Sequence, residues 1–241
     1  MPAQIFRPLH CGIVVSLLAV GFLISGCAGS QEPVSGSFVG ETSNPVASVA
    51  VVAAKPEQGE NTREVRALIY GRRENAINEW FVGSARGNDL DLTSEGGAQL
   101  EGELTSDAAT GTITLPDGTS VPFDTVPATG VAGLYNVTIT PDGQANGTSD
   151  SGARLEGQLA SQPEGQVPGR PGEGSANVLP LTGTITPPDG QPQDFEVSFL
   201  MAPVRDPGEA LTARFIVSPN GTIRGGAKKG SGAQFTDPLI D

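Results

Sequence analysis

The chain has 241 residues, with 27 acidic and 14 basic side chains and a net charge of −13. A surface of that sign repels phosphate backbones and argues against a nucleic-acid partner. The single histidine, His10, and both cysteines, Cys11 and Cys27, fall within the first 27 residues, so the rest of the chain is left without a His-based triad, thiol catalysis or the usual zinc cage.

Residues 1–26 read as a signal peptide. Arg7 supplies the positive n-region, residues 11–24 (CGIVVSLLAVGFLI) the uncharged apolar stretch, and Ser25-Gly26 the small residues before Cys27. Ile24-Ser25-Gly26-Cys27 resembles the bacterial lipobox. That resemblance implies cleavage before Cys27, a diacylglyceryl group on its sulfur and often a further acyl chain. Each buried methylene contributes about 0.8 kcal/mol, and stable attachment takes about two chains. The expected place is the cell membrane, held by lipid at the extracytoplasmic face. An uncleaved anchor over 11–28 is one alternative, at the short end of what spans a bilayer; plain secretion is the other. With Cys11 removed and Cys27 lipidated, no disulfide is expected.

Residues 27–37 read as a flexible tether, and a single β domain is expected over 38–241. ASVAVVAA at 47–54 is apolar on both faces, the pattern of a fully buried strand. KPEQGENTR at 55–63 reads as a polar loop. VRALIYG at 65–71 and INEWFVG at 77–83 read as strands, with helix as an option for 62–69 and for a short segment at 72–80. Period-two alternation then runs through 89–93, 98–104, 111–115, 133–140, 153–160, 194–201 and 211–218. Pro-Asp-Gly at 116–118, 141–143 and 188–190, and Pro-Asn-Gly at 219–221, supply turns between them. QPEGQVPGRPGEG at 162–174 has almost no apolar residue and marks a loop insertion at 162–176.

The chain also repeats itself. TSEGGAQLEG at 93–102 and TSDSGARLEG at 148–157 are identical at seven of ten positions, at an offset of 55. Trp80 and Tyr135 share that offset. GTITLPDG at 111–118 returns as GTITPPDG at 183–190, and Phe123 and Phe195 keep this second offset of 72. Repeat copies therefore lie near 80–123 and 135–199. A partial copy follows at 215–235, where FIVSPNG matches the turn region of 136–143 and GSGAQF matches DSGARL. Such units bury little alone and gain a core by packing side by side. The expected fold is all-β: an antiparallel meander of duplicated modules, as a barrel or strongly twisted sheet, with a β-sandwich second.

EWFVG, LDLTSEGGAQLEGEL, GTITLPDG, GLY and FIVSPNGTIRGG, in this order, resemble an uncharacterised, mostly actinobacterial family of exported β-repeat proteins. The resemblance spans about 36–235. It implies an extracytoplasmic all-β fold and no particular activity.

No catalytic, cofactor-binding or metal site is expected, and no cofactor; Cys27 is the one site residue, for lipidation. Glu101 and Glu103 share one strand face, and a glycosidase needs two carboxylates about 5–10 Å apart across a cleft. GNDLDL at 87–92 is only faintly similar to a calcium-binding repeat. The expected function is a lipid-anchored, non-enzymatic binding or structural role in the cell envelope, with a protein or glycan partner. The alternatives are a carboxylate-based carbohydrate-active enzyme and a small-ligand carrier. Positions where the copies differ, such as Gln99 against Arg154 and Glu103 against Gln158, are where a site is sought.

Overall fold

A computed structural model describes residues 33–71, 77–160, 177–201 and 210–228, and every regular element among them is a β-strand. The first eight strands close into an antiparallel barrel in chain order. They are β1 (Gly36–Thr42), β2 (Ala47–Ala53), β3 (Thr62–Gly71), β4 (Asn78–Arg86), β5 (Asp89–Thr93), β6 (Gln99–Leu104), β7 (Ala109–Thr114) and β8 (Ser120–Pro127). The closing pair sets Glu41 of β1 opposite Asp124 of β8.

The remaining strands are β9 (Gly133–Ile139), β10 (Gln144–Ser149), β11 (Arg154–Leu159), β12 (Asn177–Thr186), β13 (Gln193–Met201), β14 (Leu211–Val217) and β15 (Ile223–Lys228). They form a seven-stranded antiparallel sheet in the order β13-β12-β11-β10-β9-β14-β15. The expected duplicated meander is thus present. β4–β8 and β9–β13 are the two full copies, and the β14–β15 hairpin of the third copy docks on β9.

Alternation decides what each strand buries. Val49, Val65, Ile69, Phe81, Leu100, Leu104 and Ile113 point into the barrel, each at 0% exposure. Tyr135, Val137, Leu155, Leu181, Phe215 and Val217 do the same for the second sheet. Full burial of one such side chain contributes about 1.5–3 kcal/mol.

Two-faced β2 has a direct explanation. Ala47, Val49, Val51 and Ala53 join the barrel core. Ala50 and Val52 point outward and join Val39, Leu68 and Tyr70 in a third cluster with Ala132, Leu134 and Ile216 of the second sheet. The barrel wall at β1–β3 is thus apolar outside because the second sheet covers it.

The glycine of each Leu-Glu-Gly sits where two strands approach too closely for a side chain. Gly102 lies opposite Gly111 and Gly157 opposite Gly183. A Cβ on Gly102 would lie 2.2 Å from the Thr110 carbonyl oxygen. Phe123 stands opposite Gly111 and Phe195 opposite Gly183, and each ring fills space that the glycines leave. This accounts for the shared spacing of the phenylalanines.

Several expectations need correction. The alternation of β3 begins at Thr62, so Arg63 belongs to the strand and not to the polar loop at 55–63. Residues 62–69 are strand throughout, and Asn78–Trp80 open β4, so neither helical option holds among the described residues. β1 starts at Gly36, inside the stretch read as tether, because Gly36 and Ser37 pair with Ala53 and Val52. The match of Trp80 with Tyr135 is off by one residue. The β4–β5 hairpin turns on Gly87-Asn88, with Arg86 opposite Asp89. The β9–β10 hairpin turns on Pro141-Asp142-Gly143, with the Thr140 N–H donating to the Gln144 carbonyl at 2.8 Å. The longer turn shifts the true match to 54, which pairs inward Phe81 with Tyr135 and outward Trp80 with Leu134. The loop insertion at 162–176 and the signal peptide at 1–26 lie outside the described residues.

Candidate functional site

The outer face of β9–β11 carries two polar ladders. Thr148 stands between Asn136 of β9 and Arg154 of β11, and Asn146 between Thr138 and Glu156. Together these six residues line a shallow open groove of about 430 Å³. The first ladder continues to Arg214 on β14, opposite Asn136. All six groove residues are exposed, since their inward neighbours, Val137, Ala145 and Leu155, fill the core.

The equivalent face of the barrel has a different chemistry. There Asp91 stands opposite Glu101 and Asp89 opposite Glu103. At the matching positions the second sheet has Asn146, Glu156, Gln144 and Gln158. Four carboxylates become one, and Gln99 becomes Arg154. The same backbone therefore presents an acidic face once and a nearly neutral, donor-rich face once. Like charges directly across strands are destabilising by tenths of a kcal/mol, so the acidic face is a standing cost that the second copy does not carry.

Glu101 and Glu103 are exposed on the convex outside of the barrel, and neither lines the groove. Asp89 and Asp91 also point outward. The side-chain oxygen of Asn88, in the calcium-like GNDLDL stretch, turns toward the barrel end. It accepts the Val34 N–H at 2.8 Å and a guanidinium N–H of Arg63 at 3.2 Å.

Arg63 was hidden from sequence reasoning because it follows a run of polar residues. In the barrel it is 3% exposed. Its Nε and Nη1 meet no acceptor among the described residues, and burial lowers its pKa. Two-residue parity with Val65 was the signal that could have placed it inside.

Trp80 and Arg214 mark where the groove ladder meets the barrel. The Arg214 guanidinium carbon lies 4.0 Å from the centre of the Trp80 ring. Burial and the charge of Arg66 lower the Arg214 pKa, and the charge of Glu95 raises it. Arg66 itself binds Asp150 at 2.9 Å. Cys27, the expected lipidation site, lies outside the described residues.

Comparison with protein-family models, with curated proteins and with solved structures returns no significant match.

Proposed function

We propose that this protein is held by lipid on Cys27 at the extracytoplasmic face of the cell membrane and works there as a non-enzymatic binding protein. Its ligand is a glycan of the envelope, taken by the groove on β9–β11. The observation that carries this reading is the divergence of two equivalent faces. Amides replace three carboxylates on one of them only, and a guanidinium there replaces the amide of Gln99. Asn136, Asn146 and Arg154 offer donors and acceptors in a fixed ladder, which suits the hydroxyls of a sugar chain better than a charged polymer.

Hydrolysis by two carboxylates is less well supported, because Glu156 is the one carboxylate among the groove-lining residues. The carrier reading needs an internal cavity. The barrel interior is instead filled by side chains such as Phe81, Leu100 and Ile113, each at 0% exposure.

The test is co-sedimentation of the protein with isolated envelope glycan. Wild type is expected to pellet with the glycan, and Asn146→Ala with Arg154→Ala to lose about tenfold or more in affinity, one tenfold step being about 1.4 kcal/mol. Unchanged pelleting of the double variant removes the groove reading. Membrane fractionation of Cys27→Ala tests the anchor separately: the variant is expected in the soluble fraction, and an unchanged membrane fraction overturns lipid attachment.

A further inference from the structure

The triplet Asn-Gly-Thr occurs at 146–148 and again at 220–222, and the fold gives the two copies opposite surroundings. Asn146 lies on β10, the strand between β9 and β11. Gly147 stands opposite Val137 and Leu155, so ladders hold its backbone on both sides. A Cβ at Gly147 would lie 2.5 Å from Cγ2 of Val137. Asn220 lies instead in the turn between β14 and β15. Asn220 and Gly221 are both exposed. Gly221 has a φ of 80°, and a Cβ there would meet nothing within 4 Å. Its N–H donates across the turn to the Ser218 carbonyl at 2.9 Å.

Two donors converge on the Asn220 side-chain oxygen. The Thr222 N–H donates to Oδ1 at 3.1 Å, and the Ser218 hydroxyl donates to the same atom. That hydroxyl also stands 3.1 Å from the Thr222 carbonyl oxygen, which competes for its proton. Oδ1 is the atom that gains negative charge when a nucleophile adds to Cγ, and donors set there in advance lower the barrier to that addition. The nucleophile at hand is the main-chain nitrogen of Gly221, a residue with no side chain to hinder its approach.

The sister turns show that an aspartate fits this place. Asp117 and Asp142 stand where Asn220 stands, between proline and glycine. The Thr119 N–H donates to Asp117 Oδ1 at 2.9 Å, and the Thr140 hydroxyl donates to Asp142 Oδ1. These are the counterparts of the Thr222 and Ser218 bonds to Asn220. The N–H of Thr119, with its hydroxyl, holds the Asp117 carboxyl below the usual carboxylate range. A carboxylate at 220 would therefore keep the turn and strengthen its bonds.

We propose that Asn220 is a self-modification site, where the folded chain converts this asparagine to aspartate. The Gly221 nitrogen gives its proton to water and bonds to Asn220 Cγ. The Cγ–Nδ2 bond breaks, and Nδ2 leaves as ammonia. A water molecule then opens the cyclic imide, and the Gly221 nitrogen regains a proton. Opening at Cγ yields aspartate, and opening at the main-chain carbonyl yields isoaspartate. Nothing is oxidised or reduced; ammonia is lost, water is gained, and the chain acquires one negative charge. Asn146 is spared, because the ladders on either side of β10 keep Gly147 from reaching its Cγ.

Peptide mapping by mass spectrometry, after incubation of the full chain near neutral pH, tests this. In the folded protein Asn220 is expected to convert at least about 100-fold faster than Asn146, where the sheet must open first. In urea the two triplets are expected to convert at similar rates. Ser218→Ala is expected to slow conversion at 220 about fivefold in the folded chain, the worth of one hydrogen bond, and to leave the rate in urea unchanged. An Asn220 that stays intact when folded but converts in urea overturns the proposal. So do equal rates at the two sites in the folded chain, and so does a folded rate that Ser218→Ala leaves unchanged or raises.

Discussion

Two buried polar side chains behave differently. The Tyr135 hydroxyl donates to the Val131 carbonyl at 2.6 Å. Burial pushes its pKa from 10.0 up to about 12, against a smaller lowering from its hydrogen bond with Ser149. Above pH 10 the unfolded chain releases this proton while the folded chain keeps it. The stability contributed by the neutral phenol is complete below pH 10 and is lost as pH rises through about 12. Tyr135→Phe should therefore lower stability at pH 7 by about 1 kcal/mol and flatten the alkaline decline, as read by urea unfolding at pH 7 and at stepped pH values above 10. An unaltered decline would show that another group drives it. Arg63 presents the opposite balance, since its guanidinium is buried with two nitrogens that meet no acceptor among the described residues. A buried guanidinium without an ion pair carries a desolvation cost that its one hydrogen bond to Asn88 offsets only in part. Arg63→Met is expected to raise the urea midpoint; a clear fall would mean that the guanidinium has a partner worth more than its desolvation.

Strands and turns were the most legible level, because period-two alternation and Pro-Asp-Gly turns are local signals. The repeat fixed the order of β4–β8 and β9–β13. What the alternation of β2 could not show was which partner covers its second face, since that partner lies far along the chain. The Trp80 match went astray for a related reason: identity counts residues, whereas a strand face counts parity, and one extra turn residue reverses it. Corrected, the offset exposes a reciprocal contact. Arg66 and Arg214 occupy equivalent positions, opposite Val82 and Asn136. So do Leu68 and Ile216, and Trp80 and Leu134, all packed in the shared cluster. The acidic residue of each repeated decapeptide reaches across: Asp150 binds Arg66, and the charge of Glu95 acts on Arg214. This is the self-complementary logic of a two-fold dimer, here within one chain. The apolar part should dominate. Leu134→Ala and Ile216→Ala are each expected to cost about 2–5 kcal/mol, whereas Asp150→Ala, whose ion pair is partly exposed, should cost under about 1 kcal/mol. Urea unfolding of the three variants reads the ranking, and a larger loss for Asp150→Ala would reverse it.

At the scale of the whole molecule, duplication supplied two similar faces on β4–β6 and β9–β11, and substitution made them differ. The candidate groove was legible only in part. Gln99 against Arg154 was visible as a difference between copies, but Asn136 and Thr138 enter the groove from a strand outside the decapeptide, by pairing that sequence identity does not report. The acidic face and the neutral face can be exchanged by few substitutions, since Gln144, Asn146 and Gln158 match Asp89, Asp91 and Glu103. The most direct measurement is therefore glycan co-sedimentation of a full chain carrying Gln144→Asp, Asn146→Asp and Gln158→Glu, beside one carrying Asp89→Gln, Asp91→Asn and Glu103→Gln. Loss of about tenfold or more in affinity for the first, with binding retained by the second, is the predicted result. Equal binding by both, at the wild-type level, contradicts the assignment of the ligand to the β9–β11 face.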